Sequence, residues 1–385
     1  MALTLSPELT FLIGVAIFWV VLYVLAYVFH LEKRGLEVKP AYFMYKSKAL
    51  NSFIDGLANK GRKLWTVLSN IGVALSIGLM VFSIYYLFSN LLRLVFQPRL
   101  AVPVVPAIPV LTISLYWLPY FFLAVGIVIL THELAHGIIA RLQNIPVLST
   151  GILAFLVFFG AFVEPDEKEF EKASLTTRLK MLAAGSSTNL VTGLLMFLLL
   201  LGLFAPPTGV LVQEVLPNSP FAKAGFGQWD VIYAVNGQRV IVPANLTNVM
   251  RNVKPNTTLL LTVLHNNKLI NKSVTTVASP SNSSQGIIGV LVGGSYSPSV
   301  FGLTQYANIN LFFALYWIFL LSISVAVFNM FPAFPFDGER MLYYPLASLV
   351  KKRKQELRQA LNILSWGLFA VNVILSLWQM GLRVI

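Results

Sequence analysis

The chain contains no cysteine, and only 11% of its 385 residues are charged. The absence of cysteine excludes disulfide bonds and thiolate metal sites. Because soluble domains have about 25% charged residues, the scarcity of charge argues against a cytosolic enzyme, a solvated coiled coil and a disordered chain. Histidine is also scarce, so a transition-metal site would have to combine carboxylates with some of four imidazoles: His30, His132, His136 and His265.

Apolar residues are abundant instead and make up 57% of the chain. Six segments contain the roughly 20 apolar residues that a membrane-spanning helix needs. These predicted spans are 9–30, 67–96, 112–140, 178–204, 309–331 and 357–383. The sequence therefore predicts a polytopic α-helical membrane protein that is surrounded by the lipid bilayer.

Basic residues predict the orientation of these spans. Lysines and arginines are concentrated over 33–63 and at 351–354, which is typical of cytoplasmic loops. The segment 97–111 has one arginine and four prolines, which predicts an external loop. Six crossings then place both termini of this integral cell-membrane protein on the extracytoplasmic side. The basic loops account for the net charge of +13, and without a basic stripe interleaved with aromatic residues we expect no nucleic-acid partner.

The apolar run 146–163 is unlike the six predicted spans. Basic residues lie on both sides of it, Arg141 before and Lys168 after, and Gly151 and Gly160 interrupt it. β-Branched and aromatic residues are common within it, which favours strands over a helix. The run therefore predicts a membrane-embedded β-hairpin that returns to the side from which it enters.

The third predicted span contains the sequence THELAHG at 131–137. His132 and His136 are four residues apart, so both imidazoles lie on one helical face and can bind one metal ion, with Glu133 beside them. Two histidines and a glutamate are costly in an apolar helix unless they have a partner. A metal ion supplies that partner, and imidazole and carboxylate ligands favour one Zn²⁺ per chain. His30, at the end of the first span, and His265 are expected away from this metal.

A zinc site of this kind needs a third protein ligand. Glu164, Asp166 and Glu167 lie in a charged loop, where solvation accounts for them. Asp337 lies instead in NMFPAFPFDG at 329–338, an apolar stretch at the end of the fifth span in which two prolines break the helix. Non-helical backbone is tolerated at membrane depth where it lines a cavity. Asp337 is therefore the preferred third ligand, and Glu164 is the next candidate.

The H-E-x-x-H motif in one span and the N-x-x-P-x-x-P-x-D-G motif in a later one resemble the site-2 protease family of intramembrane zinc metalloproteases. The resemblance covers roughly 112–340. It implies zinc ligands at His132, His136 and Asp337, with Glu133 as the general base. It also implies a transmembrane helix of another membrane protein as the substrate. That helix would be cut within the bilayer after a first protease has removed the substrate's ectodomain.

Two asparagines are candidates for contacting the substrate backbone or the oxyanion. The fourth span has GSSTN at 185–189, where the family often has G-P-x-x-N, so the proline is missing and Asn189 remains. Asn329 opens the later motif. For both residues, an interhelical hydrogen bond among small residues is an equally good interpretation.

Residues 206–300 differ from the rest of the chain. Four short alternating runs, separated by turn residues, predict a small β-rich domain. The runs 218–225, 228–232 and 235–237 resemble a PDZ domain of the protease-associated kind, in which the strand beside the peptide groove comes last. The candidates for that groove are Gly286, Ile287, Ile288 and Gly289. A substrate peptide end could bind there by β-augmentation, although a domain that only occludes or spaces is the alternative.

The sequons of the chain support an external position for this domain. N-x-S/T sequences of the kind that accept glycans all fall within 206–300, at Asn245, Asn256, Asn271 and Asn282.

The predicted organisation has five parts. They are two N-terminal spans with a basic loop (1–111), a first catalytic part (112–205), the PDZ-like domain (206–300), a second catalytic part (301–350) and a C-terminal basic loop with a span (351–385). The predicted function is an intramembrane zinc metalloprotease that acts in regulated intramembrane proteolysis. A metal transporter or sensor with the same ligands, and a non-catalytic scaffold, are the alternatives. Neither of them needs a glutamate base between the two histidines.

Overall fold

The computed structural model describes residues 7–109, 111–350 and 352–380. Lys351, in the second basic loop, and 381–383, at the end of the sixth predicted span, lie outside these ranges. The described helices are α1 (Pro7–Val28), α2 (Asn51–Lys60), α3 (Arg62–Phe96), α4 (Leu118–Leu142), α5 (Glu167–Lys172), α6 (Leu175–Leu203), α7 (Pro220–Lys223), α8 (Pro243–Met250), α9 (Gln305–Asn329), α10 (Asp337–Leu349) and α11 (Lys354–Met380).

The described strands belong to three sheets. They are β1 (Leu36–Lys39), β2 (Tyr42–Ser47), β3 (Val147–Phe155), β4 (Phe158–Pro165), β5 (Gly209–Val215), β6 (Val231–Val235), β7 (Gln238–Arg239), β8 (Thr258–His265), β9 (Lys268–Thr275), β10 (Val277–Ala278), β11 (Gly286–Ile287) and β12 (Val290–Tyr296). Among the described residues, six helices are long and apolar enough to cross a membrane: α1, α3, α4, α6, α9 and α11. The six predicted spans are confirmed.

The chain forms two compact units, 1–195 with 317–385 and 196–316. The first unit contains an antiparallel sheet with the strand order β1-β2-β3-β4. The predicted hairpin at 146–163 is confirmed as β3 and β4, which pair from Phe155 opposite Phe158 to Val147 opposite Pro165. The other two strands lie in the basic loop and were not predicted. Strand β2 pairs with β3, with Tyr42 opposite Phe155.

Close packing fixes where α4, the helix with the H-E-x-x-H motif, lies in this unit. Ile54 on α2 is fully buried against α4, and a Cβ added at Gly137 would lie 3.0 Å from its Cδ1 atom. On the other side, Ala135, Ile138 and Ile139 of α4 share a core with Met181 of α6. The small residue at 137 therefore lets α2 approach the turn of α4 that carries the second histidine.

The proline-rich segment that follows α3 packs within this unit. Val104 is buried in a cluster with Leu87 and Phe331. Asn90 accepts a hydrogen bond from the Val102 amide at 2.9 Å and donates one to its carbonyl oxygen, also at 2.9 Å. The Ser376 hydroxyl accepts from the Val104 amide at 3.0 Å. Proline has no amide hydrogen and cannot continue a regular hydrogen-bond ladder. Side chains of α3 and α11 therefore bind the backbone groups of this extended segment. The side of the membrane on which 97–111 lies stays a prediction.

The second unit has the PDZ-like architecture that the sequence predicts. Its main sheet has the order β12-β5-β6-β8-β9, with β7 on β6. The predicted short helix is α7, whose N-cap Ser219 accepts a hydrogen bond from the Ala222 amide at 3.2 Å. Asn236 and Gly237 both have positive φ and connect β6 to β7, as a tight hairpin turn requires.

Candidate metal centre

Three side chains from two parts of the chain converge in the first unit. His132 and His136 lie one turn apart on α4, and Asp337 is the first residue of α10. Their ligand atoms all lie within 4.8 Å of one another. The two Nε2 atoms are 3.1 Å apart, and the Asp337 Oδ2 atom lies 3.1 Å from His136 Nε2 and 3.6 Å from His132 Nε2.

These separations fit a tetrahedral metal. Ligand bonds of about 2.0–2.1 Å at tetrahedral angles place the ligand atoms about 3.3 Å apart. The observed distances of 3.1, 3.1 and 3.6 Å lie around that value. Two imidazoles and one carboxylate are also the ligands of hydrolytic zinc sites, which keep a fourth position for water.

The tautomer of His136 favours metal binding. Its Nδ1 atom lies 2.8 Å from the carbonyl oxygen of Met181 on α6. A carbonyl can only accept, so Nδ1 carries the proton and the Nε2 lone pair is directed at the shared centre. A backbone acceptor for the second ring nitrogen is common among metal-binding histidines.

Gly185 on α6 provides the space between the ligands. A Cβ atom added there would overlap the Nε2 atoms of both His132 and His136. Any side chain at this position would occupy the volume that a metal ion needs. The sequence analysis did not identify this glycine, because its role depends on a neighbouring helix, and the small residues at 185–187 were the only signal.

Asn329, the last residue of α9, holds Asp337 in place. Its amide nitrogen donates to Asp337 Oδ2 at 2.7 Å, and its oxygen accepts from the Asp337 amide at 3.4 Å. Pro332 and Pro335 lie in the turn between α9 and α10, and a Cβ at Gly338 would overlap the Met330 carbonyl oxygen. The motif thus forms a tight turn that brings its aspartate back to its asparagine.

Glu133 is directed at the hairpin. Its Oε2 atom accepts a hydrogen bond from the Val163 amide on β4 at 3.0 Å. The N–H of Val163 therefore points away from β3, and alternate residues of a strand share that direction. The backbone groups of Ala161 and Phe159 accordingly face the open edge of β4, on the side of α4.

Two apolar cavities lie between the four-stranded sheet and α4. One, of about 350 Å³, is lined by Glu133 and by residues of β2, β3 and β4. The other, of about 430 Å³, continues along α4 to Phe122. Leu130, Ile152 and Ala161 line both cavities, so the two form one groove, and Glu133 is part of its lining.

The other acidic candidates for the third ligand have different partners. Glu164 binds the Ser149 hydroxyl and lies 2.9 Å from Lys46 Nζ. The hydroxyl and then the ammonium hold the pKa of the Glu164 carboxyl below its usual value. Asp166 caps α5, and Glu167 forms an ion pair with Arg340. Each of the three is accounted for without a metal.

The two other histidines and the predicted peptide-groove residues belong to other parts of the chain than the candidate metal ligands. His30 follows α1 with a left-handed backbone. His265 belongs to the second unit, where its Nδ1 atom lies 2.8 Å from buried Asp230. The predicted groove residues 286–289 also belong to that unit and immediately precede β12, which lies at the edge of its sheet.

Comparison with known proteins identifies the family of this chain. The model of peptidase family M50 matches residues 120–373. An uncharacterized protein of Methanocaldococcus jannaschii is 28% identical over 280 residues, which are 68% of this chain and 70% of that protein. The zinc metalloprotease RasP of Geobacillus kaustophilus is 22% identical over 261 residues, 56% of this chain and 62% of that enzyme.

Shorter similarities involve other proteins. The serine endoprotease DegS of Haemophilus influenzae is 37% identical over 62 residues, 16% of this chain and 18% of that protein. The PDZ domain of the SdrC-like protein from Listeria innocua aligns with 22% of this chain and 93% of its own length, at 23% identity and a TM-score of 0.20. The family match covers both sequence motifs and the helices that carry them, and the chain therefore belongs to peptidase family M50, the site-2 protease family of zinc metalloproteases.

Proposed function

We propose that this membrane zinc metalloprotease hydrolyses peptide bonds within transmembrane helices of other membrane proteins, in regulated intramembrane proteolysis. The observation that carries the proposal is the convergence of His132, His136 and Asp337 beside Glu133, on helices apolar enough to cross a membrane. In this proposal the first three residues bind one zinc ion. A transmembrane substrate could reach such a site from within the bilayer.

The chemistry follows from the positions of these side chains. Zinc at this site would polarise the scissile carbonyl and lower the pKa of a bound water toward about 7. The Glu133 carboxylate would accept the proton of that water as it attacks, and would then deliver the proton to the leaving amide nitrogen. The bond from the Val163 amide orients the Glu133 carboxylate for this work. Asn329 keeps Asp337 in a ligating position.

The groove beside β4 suggests how the substrate is held. A helical substrate uses its own carbonyls in hydrogen bonds, so a segment must unwind before a peptide bond can be attacked. The backbone groups of Ala161 and Phe159 lie at the open edge of β4, beside the groove, and can pair with that unwound segment by β-augmentation. Glu133 lines this groove and binds the Val163 amide of the same strand, so pairing would bring the scissile bond close to the base.

A role for the PDZ-like domain follows from its sheet edge. Strand β12 lies at the edge of the sheet, and Gly289, with a positive φ of 79°, leads into it. An extended substrate end could add to this edge next to residues 286–289. We place this domain and both termini on the extracytoplasmic side of the cell membrane, as the basic loops indicate.

The test separates zinc binding from catalysis. Glu133→Gln keeps the shape of the side chain and removes the base, so the purified variant should hold about one zinc per chain. Its cleavage of a transmembrane peptide should fall by about 10²–10⁴. Asp337→Ala is the matched comparison and should lose zinc as well as activity, since only two ligands remain.

Two results would contradict the proposal. Cleavage by Glu133→Gln at the wild-type rate would remove the base from the mechanism. Absence of zinc-dependent cleavage by the wild-type protein would favour a metal transporter, a metal sensor or a scaffold instead.

A further inference from the structure

One imidazole of the candidate metal centre is oriented by a side chain rather than by the backbone. The amide of Asn189, on α6, lies against His132, with its nitrogen position 3.0 Å from Nδ1. Its oxygen position lies 3.3 Å from the hydroxyl of Thr131. Asn189 is completely buried, so water cannot replace either contact.

The Thr131 hydroxyl already has an acceptor for its single proton. It donates to the Ile127 carbonyl oxygen at 2.9 Å, one turn earlier on α4. Its oxygen can therefore accept a hydrogen bond from Asn189. The side chains of Thr131, Asn189 and His132 thus form a chain of contacts that begins and ends on the helix that carries the metal ligands.

Coordination through His132 Nε2 determines the direction of every bond in this chain. When Nε2 binds a metal, Nδ1 carries the ring proton and must donate. The amide of Asn189 then has to present its oxygen to Nδ1, which a half-turn of the planar amide group achieves without a change of shape. One N–H of its nitrogen then donates to Thr131, and the protons of His132 Nδ1 and of the Thr131 hydroxyl each have one acceptor. The opposite amide orientation would place the ring proton on Nε2 and prevent coordination.

We infer that Asn189 is a positioning residue for the zinc ion, which fixes the tautomer and orientation of His132, with Thr131 as its support. The inference rests on the proposed zinc ligands and deepens their assignment. It gives Asn189 a role that differs from contact with the substrate or the oxyanion. Partners of this kind on a metal-binding histidine typically contribute about 10–100-fold in metal affinity.

Zinc affinity of the full-length protein in detergent, measured by competition with a chromophoric chelator, tests the inference without reference to cleavage. Asn189→Leu has the same branched arrangement of heavy atoms but no acceptor, and it should bind zinc about 10–100-fold more weakly. Asn189→Asp retains the acceptor, and the Thr131 hydroxyl can donate to its second oxygen, so this variant should bind zinc at least as tightly as the wild type. Thr131→Val should show a smaller loss of affinity than Asn189→Leu.

Ser187→Ala is the matched control on the same helix. The Ser187 hydroxyl donates to the Ala184 carbonyl oxygen within α6 at 3.2 Å, so its removal should leave zinc affinity unchanged. Rescue by aspartate separates positioning from packing, because a residue that only fills space would tolerate leucine better than a buried charge.

Equal weakening by leucine and aspartate, or wild-type affinity in Asn189→Leu, would overturn the inference. If Asn189→Leu does not fold, the affinities of Asn189→Asp and Thr131→Val still decide the question. Unchanged affinity in the variants beside zinc-dependent cleavage by the wild type would refute only the positioning role. A wild-type protein that bound no zinc would refute the proposed function as well.

Discussion

The two imidazoles of the candidate metal centre leave no room for a side chain at Gly185. The nearest atoms to an added Cβ belong to the two imidazoles, not to the backbone. Both rings are held by hydrogen bonds to α6, at the Met181 carbonyl oxygen and the Asn189 amide. The rings therefore cannot move aside without giving up those bonds, and a substitution at 185 acts on the metal rather than on the fold.

We expect Gly185→Ala to abolish zinc binding and proteolysis while the protein stays folded. Alanine is a better helix former than glycine by about 1 kcal/mol, so the helix itself should not suffer. Gly202→Ala is the control on the same helix, because nothing lies within 4 Å of its added Cβ. Metal analysis and thermal unfolding of both purified variants measure the difference. Stoichiometric zinc in Gly185→Ala would show that the metal lies elsewhere.

At the scale of elements, a hydrogen bond at the open edge of β4 joins the hairpin to α4. Because the amides of Ala161 and Val163 point toward α4, they do not take part in the ladder with β3. The Val163 amide binds Glu133, and the Ala161 amide lies at the open edge of β4.

Ala161→Pro should therefore remove one hydrogen-bond donor for the substrate and leave the hairpin paired. Proline is tolerated on edge strands where the missing N–H is not part of the ladder. Loss of one backbone bond to the substrate costs about 0.5–1.5 kcal/mol, so kcat/KM for a transmembrane peptide should fall about 2–10-fold, with zinc content unchanged. Ala161→Ser keeps the amide and should cleave normally. Equal activity of the proline and serine variants would refute edge pairing at this position.

The sequence predicted the elements that have local signals. The spans follow from their length and apolarity, the hairpin from its glycines and β-branched residues, and the candidate ligands from the spacing of His132 and His136 and from the aspartate motif. Strand β2 was missed because its pairing with β3 is remote, with Tyr42 opposite Phe155. Strand β1 is only four residues long and pairs with β2 alone. Gly185 was missed because its importance depends on α4, whose two imidazoles fill the space that a side chain at 185 would occupy.

At the scale of the whole molecule, the orientation in the membrane can be tested directly. The absence of cysteine makes the natural sequence a clean background for thiol labelling. An impermeant thiol reagent should label Asn282→Cys in intact cells and Lys352→Cys only after permeabilisation, because basic loops stay in the cytoplasm. The reverse pattern would invert the predicted topology.

The PDZ-like domain is expected to restrict which substrates reach the metal. On the predicted topology it shares a side of the membrane with the ectodomains of substrates, which would collide with it if they were bulky. Deletion of 208–296 should then allow cleavage of a model substrate with a large ectodomain, and a short-ectodomain substrate serves as the control. Unchanged discrimination in a cleavage assay would show that the domain is not a filter.

The packing of the proline-rich segment after α3 has a consequence for biogenesis. The Val104 amide is satisfied by Ser376 of α11, and Asn372 of α11 accepts a hydrogen bond at 3.1 Å from Asn90, which itself binds both backbone groups of Val102. During synthesis α11 leaves the ribosome more than 200 residues after this segment. Until then the segment lacks its partners on α11. Nascent chains that end before α11 should therefore be prime substrates for membrane quality control.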